Sequence, residues 1–422
     1  MAIHTPTGLS KVSIRYYEKG VVLDFLTSKF FLIFRLVLAA VLAAAAALVF
    51  VPAPTHLLWI VTLGVTEWGH WLTLFAFALL MLGGFGLSRS GMPSVAGLAG
   101  GLLCLLAAFL TMTPTLRAIP IARDLPAQLD VAFGKPGMSA NDSTGKTPLV
   151  FTDLFKGVTL PAIQSTTIAY GKVGGQDLNL DMYKPPTSGG GPKQGPGVLV
   201  IHGGGWQSDD SQELATLNRY LAGRGYLVAA INYRLAPQHK FPAALEDVRQ
   251  AINYLKTHAA DLGLDANRLV LLGRSAGGQL AMLAGYNPVD PAIRGVIAFY
   301  APPDLRFSYT FPANPAVLDS RGLLEAYLGS DPDHIPNTYL AASPFYFVGS
   351  ATPPTLLIHG VRDELVAFAQ SERLTARLAA NGRRQFLLEM PWATHACDIN
   401  FSGPCGQLST YAIERFLAAV TK

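Results

Sequence analysis

Apolar positions are unevenly distributed along the chain, and their spacing changes character near residue 115. Before that point they form long runs. Phe30 to Val51 carries one charge, Arg35, close enough to its start to snorkel toward lipid head groups. At 1.5 Å per residue, such a run crosses a hydrocarbon core of about 30 Å. Trp68 to Leu87 and Pro93 to Thr113 have similar length and character. The spacing predicts three transmembrane helices, over about 30–51, 68–87 and 93–113, in an all-α membrane region at 30–115. A segment at 1–29 precedes it. Leu57 to Val65 is too short to cross alone and follows Pro52 and Pro54, which suits an interfacial or re-entrant connection. Gly97 with Gly101, and Gly83, Gly84 and Gly86, are small enough to let helices pack closely. Glu67, Trp68 and His70 sit at the edge of the second span, where solvation at the interface accounts for them.

The second half has a different pattern. A Pro-, Gly- and Thr-rich stretch at 116–164 is expected to be a connector. After it, Val198 to Ile201, Leu227 to Ile231, Leu269 to Leu272, Val296 to Tyr300, Thr355 to Ile358 and Phe386 to Glu389 have the length and composition of strands. Between and after them, Leu214 to Ala222, Ala243 to Thr257, Gly278 to Ala284, Phe368 to Ala380 and Thr410 to Ala419 have helical spacing. This alternation predicts an α/β domain over 165–422, with a mostly parallel, doubly wound sheet covered on both faces. Chemistry in such sheets lies beyond the carboxyl ends of the strands. The glycine run 189–191, between two early strands, suits a flexible hairpin loop.

Composition narrows the function classes. Of 422 residues, half are hydrophobic and only 14% charged, against roughly 25% charged in a soluble domain. Disorder and a purely soluble protein are both disfavoured. A net charge of +4, with no basic cluster interleaved with aromatics, argues against a nucleic-acid partner. Lys11, Arg15, Lys19 and Lys29 precede the first apolar run, Arg89 separates the second and third, and none lies between the first and second. The positive-inside bias places the N-terminus in the cytoplasm and everything after about residue 115 outside, with Arg117 and Arg123 weighing the other way. A cleaved signal peptide is the alternative for the first run, but that run and the polar segment before it are long for one. The three cysteines form no CxxC or Cys/His zinc spacing, so no metal is implied.

The candidate chemistry begins at Gly273-Arg274-Ser275-Ala276-Gly277, directly after a predicted strand and opening a helix. GxSxG in that setting is a nucleophile elbow, whose glycines leave room for a sharp turn around an exposed serine. His202-Gly203-Gly204-Gly205-Trp206 follows an earlier strand. Glycines there free backbone N–H groups to donate to a developing oxyanion, so Gly204, Gly205 and Ala276 are the candidate oxyanion donors. Serine needs a base and the base an acid. Of nine histidines, His395 stands in the loop beyond the last strand and is the candidate base. His359 ends a strand and is expected to order its turn. Asp363, after the penultimate strand, is the candidate acid, with Glu364 and Asp304 as competitors. Ser275, Asp363 and His395 then occur in the chain order of an α/β-hydrolase.

The second half resembles the hormone-sensitive-lipase and bacterial carboxylesterase group of α/β-hydrolases. Its HGGGW turn, Asn232-Tyr233-Arg234-Leu235-Ala236-Pro237, Phe241-Pro242-Ala243-Ala244 running into Glu246-Asp247, and the GxSAGG elbow are similar to motifs of that group. Arg274 departs from it, because the lipase group usually carries Asp there; feruloyl-esterase-like and formamidase-like branches vary at this position. The resemblance implies two-step acyl transfer on a small-molecule ester, with no cofactor. The membrane half lies outside the family pattern and implies a lipid bilayer as partner.

Three other outcomes share these features. An acyltransferase would pass the acyl group to a lipid or sugar hydroxyl, an amidase would cleave anilides, and a binding protein would keep an inactive triad. Asp304 to Val348 is a long excursion between strands, suited either to a small lid or to packing on the sheet. Phe307, Tyr309, Phe311, Leu318, Leu323, Tyr327 and Tyr346 are available there to line a pocket. Cys397 and Cys405, eight positions apart after His395, are expected to bridge if their side of the membrane is oxidising. Cys104 reads as a small apolar residue of the third span.

Overall fold

The computed structural model describes residues 29–83, 94–135, 147–186 and 194–422. Lys11, Arg15, Lys19, Arg89, Gly84, Gly86 and the glycine run 189–191 lie outside these residues, as do the ends of the expected spans at 84–87 and 93. The chain divides into two compact units. One comprises Met1–Val51 with Trp68–Thr113, the other Pro52–Glu67 with Pro114–Lys422.

Among the described residues of the first unit, two helices are long and apolar enough to cross a bilayer, Lys29–Ala47 and the N-terminal part of Val95–Phe133. The expected second span is instead a 15-residue helix, Gly69–Gly83. It follows His56–Glu67 with an 83° bend, and only that broken pair taken together would make a third span. Gly69 sits so close to the Thr111 carbonyl that a Cβ would approach it within 2.1 Å. Thr73 and Thr111 hydroxyls meet at 2.8 Å beside it. Arg35 does not snorkel. It is buried and donates from Nη2 to the Gly97 carbonyl at 2.6 Å. A Cβ at Gly83 would meet its guanidinium at 2.4 Å. These glycines therefore make room for a buried arginine as well as for helix packing.

The second unit is built on one eight-stranded sheet in the order β1-β2-β4-β3-β5-β6-β7-β8. The strands are β1 Ser165–Val173, β2 Gln176–Tyr183, β3 Gly195–Ile201, β4 Leu227–Ile231, β5 Leu264–Arg274, β6 Ile293–Phe299, β7 Thr355–Gly360 and β8 Gln385–Met390. From β4 onward across the sheet the pairing is parallel, while β1 and β2 add antiparallel at one edge. The six strands expected from the apolar runs are all present. The two antiparallel strands were not legible, because β1 alternates only weakly between buried and exposed positions. Its turn is Gly174-Gly175, both with positive φ, as a two-residue hairpin requires.

Alternate side chains of the central strands feed two cores. Leu199, Ile201, Leu269 and Leu271 pack with the helices Ala243–Thr257 and Ala276–Tyr286 on one face. Val198, Val200, Val270 and Leu272 pack with Thr216–Gly223 and Pro404–Val420 on the other. The second face also takes in Ala118, Leu125, Leu129 and Phe133. Residues 116–133 are thus helical, not a connector, despite Pro114, Pro120 and Pro126. Each proline removes a helix hydrogen bond, but the face they leave is buried, with the Phe133 and Phe416 rings 4.7 Å apart.

Helix His56–Glu67 belongs to this unit, which corrects its assignment as an interfacial connection. Glu67 is likewise buried rather than solvated, and its Oε2 accepts the Cys405 N–H at 3.2 Å.

Candidate active site

Strand β5 runs into the helix Ala276–Tyr286 through a single residue, Ser275, with φ 50° and ψ −119°. A β-carbon in that conformation is strained and persists only where its surroundings impose it. Here Ser275 N–H donates to the Phe299 carbonyl on β6 at 2.9 Å. The flanking glycines follow from close approach: a Cβ at Gly273 would come within 2.1 Å of the Gly277 oxygen. One at Gly277 would lie 2.2 Å from both the Ile201 and His202 oxygens. The second glycine therefore lets the turn after β5 press against the turn after β3.

His395 Nε2 lies 3.0 Å from Ser275 Oγ, and its Nδ1 lies 2.6 Å from Asp363 Oδ2. The three predicted residues, far apart in sequence, are thus brought into one hydrogen-bonded line. Asp363 is buried, which by itself would raise its pKa. The charge of His395 and hydrogen bonds from His359 and His395 outweigh burial and hold the carboxyl well below the usual carboxylate range. Its Oδ1 accepts the N–H groups of Leu365 and Val366 at 2.8 and 2.9 Å. His359 does more than order its turn: Nε2 approaches Asp363 Oδ2 at 3.2 Å while Nδ1 meets Ser371 Oγ at 2.7 Å. The Tyr300 ring lies 4.3 Å from the His395 ring.

The competing acids have other partners. Asp304 caps the helix Leu305–Thr310 and pairs with Arg373 at 2.9 Å. Glu364 accepts from Thr394 Oγ1 at 2.6 Å and from Ala53 N–H at 3.0 Å.

Gly204 and Gly205 have φ of 82° and 58°, and at Gly204 a Cβ would strike the Ser208 oxygen at 2.2 Å. Both line the same cavity as Ser275 and Ala276. Ala276 opens its helix, so its N–H has no acceptor within that helix. The cavity measures about 410 Å³. Of the aromatic and leucine residues expected from the excursion, Phe311, Leu318 and Leu323 reach it, whereas Tyr327 is buried and stacked on Trp206.

Several contributors were not foreseen. Glu213 Oε2 accepts the Gly203 N–H at 2.7 Å and so fixes the glycine turn. Burial raises its pKa, with the Arg274 charge opposing. Arg274, the departure from the lipase pattern, is buried and pairs with Asp398 at 2.7 Å, and Asp398 also accepts from Tyr300 Oη at 2.6 Å. Nothing in the local sequence marked Asp398 as that partner. Trp59 and His56 line the cavity from helix His56–Glu67, hidden in an apolar stretch. Cys397 and Cys405 are joined by a disulfide, with Cα atoms 5.8 Å apart. Among the described residues, no group of three or more His, Cys, Asp or Glu is arranged to hold a metal ion.

The BD-FAE family model matches residues 180–378. Esterase LipQ of Mycobacterium tuberculosis is 30% identical over 56% of this chain and 58% of its own length. Probable carboxylic ester hydrolase LipM of the same organism is 30% identical over 60% of each. The chain is thus similar to carboxylesterases of the hormone-sensitive-lipase-like group and has the α/β-hydrolase fold. Among solved structures, Thermogutta terrifontis esterase 2 phosphonylated by sarin is 26% identical over 61% of this chain and 93% of that one, with a TM-score of 0.50. A bacterial heroin esterase, 23% identical over 63% and 87% with a TM-score of 0.55, shares the fold. The chain spans about three-fifths of the length of the curated relatives it matches. Within this α/β-hydrolase, the described cavity lies at the carboxyl ends of β3 and β5, where the group's fold places its chemistry.

Proposed function

We propose that the protein is a membrane-anchored serine carboxylesterase. His395 takes the Ser275 proton as Oγ attacks the ester carbonyl, and Asp363 holds the imidazole in the tautomer that can accept it. The carbonyl π electrons move onto oxygen, which Gly204, Gly205 and Ala276 N–H groups stabilise. Collapse expels the alcohol, protonated by His395. Water, deprotonated by the same imidazole, then attacks the acyl-serine and releases the acid. The line Ser275–His395–Asp363 at 3.0 and 2.6 Å carries this reading. Among the described residues, the cavity lining includes Asp209 and Glu213 but no Lys or Arg, which favours neutral esters over anionic ones.

Ser275→Ala is expected to lower hydrolysis of p-nitrophenyl butyrate by at least roughly 10³-fold while leaving the melting temperature unchanged. An organophosphonate should add to Ser275 in the wild type alone, read by mass spectrometry. Turnover retained in the variant would remove the serine from the mechanism. Adding an alcohol acceptor and finding ester product in place of acid would turn the assignment to acyl transfer.

The topology proposed with this activity has three crossings, the N-terminus in the cytoplasm and the hydrolase domain outside. Pro52–Glu67 and Pro114–Lys422 share one folded unit, so both lie on the same side and an even number of crossings separates them. If 95–113 crosses, the stretch from Trp68 must cross too. The Cys397–Cys405 disulfide supports an oxidising compartment.

A further inference from the structure

Helix His56–Glu67 lies outside the region matched by the family model, yet it is tied to both sides of the cavity. On one side, His56 N–H donates to the Ala316 oxygen at 2.9 Å, and its ring nitrogen Nδ1 lies 3.2 Å from the Val317 oxygen. On the other, Trp59 Nε1 donates to Thr394 Oγ1 at 3.1 Å, one residue before His395. Thr394 in turn donates to Glu364, which accepts the Ala53 N–H as well. The far end is pinned where Asn400 Nδ2 donates to the Glu67 carbonyl at 2.8 Å. The helix thus spans the cavity from the 304–348 excursion to the base loop. Its Trp59 side chain is held in one orientation by the Thr394 bond, with the His56 ring 5.2 Å away.

A large, oriented indole thus forms part of the wall of a 410 Å³ cavity. Resting on the esterase reading above, we propose that Trp59 is a specificity-determining residue that limits the enzyme to short-chain, uncharged esters, and that Glu364 and Thr394 are positioning residues holding it there. This gives Glu364 a purpose distinct from that of the neighbouring Asp363.

The test uses the full-length protein in detergent, with kcat and KM measured for p-nitrophenyl acetate, butyrate and octanoate. Wild type should prefer acetate and butyrate. Trp59→Ala should raise the octanoate-to-acetate ratio of kcat/KM by about tenfold or more, the discrimination available to an apolar wall. Trp59→Phe keeps the ring and should hold the wild-type profile. Trp59→Leu should fall between, and it stands in if the alanine variant does not fold. Glu364→Gln should shift the profile in the same direction as Trp59→Ala, without altering the pH dependence of kcat. An active wild type whose Trp59→Ala and Trp59→Leu variants keep its chain-length profile overturns the proposal alone. A wild type that cleaves none of the three esters overturns the esterase reading and this proposal together.

Discussion

Ser275, His395 and Asp363 could be named from sequence because each sits at a strand end that the apolar runs mark, and because GxSxG imposes a backbone only glycine neighbours tolerate. His202 is different: its motif was visible but its environment was not. It is buried, stacked at 4.2 Å on Tyr233, and burial pulls its pKa down to about 4, with the Gly203 carbonyl opposing. The sign follows from linkage. In the unfolded chain this histidine protonates near 6.5, whereas in the folded protein it stays neutral to about 4. Its contribution is therefore complete above pH 6.5 and is lost as pH falls from 6.5 toward 4. Thermal melting between pH 7 and 4 should show wild type losing about 3 kcal/mol more than His202→Asn over that window. Equal pH slopes for the two proteins would mean the ring is not kept neutral by the fold.

At the level of elements, the loop after β8 carries more than the proposed base. It holds His395, then Asp398, whose carboxylate joins Arg274 and Tyr300, and it is closed by the disulfide to the first turn of the last helix. Arg274 immediately precedes Ser275 and the Tyr300 ring packs on that of His395, so one short loop orients groups on both β5 and β6. Sequence could show Arg274 as a departure and the two cysteines as a possible pair. It could not show Asp398, because a charge partner 124 positions away is set by packing, not by spacing. Closing so short a loop is worth roughly 2 to 3 kcal/mol in the chain-entropy model. The double variant Cys397→Ala with Cys405→Ala should melt roughly 5 °C lower. Because Asp398 sits inside the closed loop, kcat on p-nitrophenyl butyrate should also fall, by about threefold or more, below that melting temperature. A variant with unchanged kcat would confine the bridge to a structural role.

On the scale of the whole molecule, hydropathy alone mistook where the domain begins. Runs of apolar residues look the same whether they meet lipid or a protein core, so helix His56–Glu67 and residues 116–133 were both assigned away from the hydrolase domain that buries them. That placement has a consequence for topology. If only Lys29–Ala47 and the start of Val95–Phe133 crossed the bilayer, residue 53 and residue 422 would stand on opposite sides, although both belong to one folded unit. The three crossings proposed above remove the conflict, and the basic residues Lys11, Arg15, Lys19 and Lys29 favour a cytoplasmic N-terminus in that proposal. Reporter fusions after Ala53, Ser94 and Lys422 distinguish the two arrangements. With alkaline phosphatase, which is active only outside, and a fluorescent protein that matures only in the cytoplasm, three crossings give outside, inside, outside. Two crossings give outside, outside, inside. The second pattern would separate Trp59 from the cavity it lines, so it would overturn the topology and the wall assigned to helix His56–Glu67 at once.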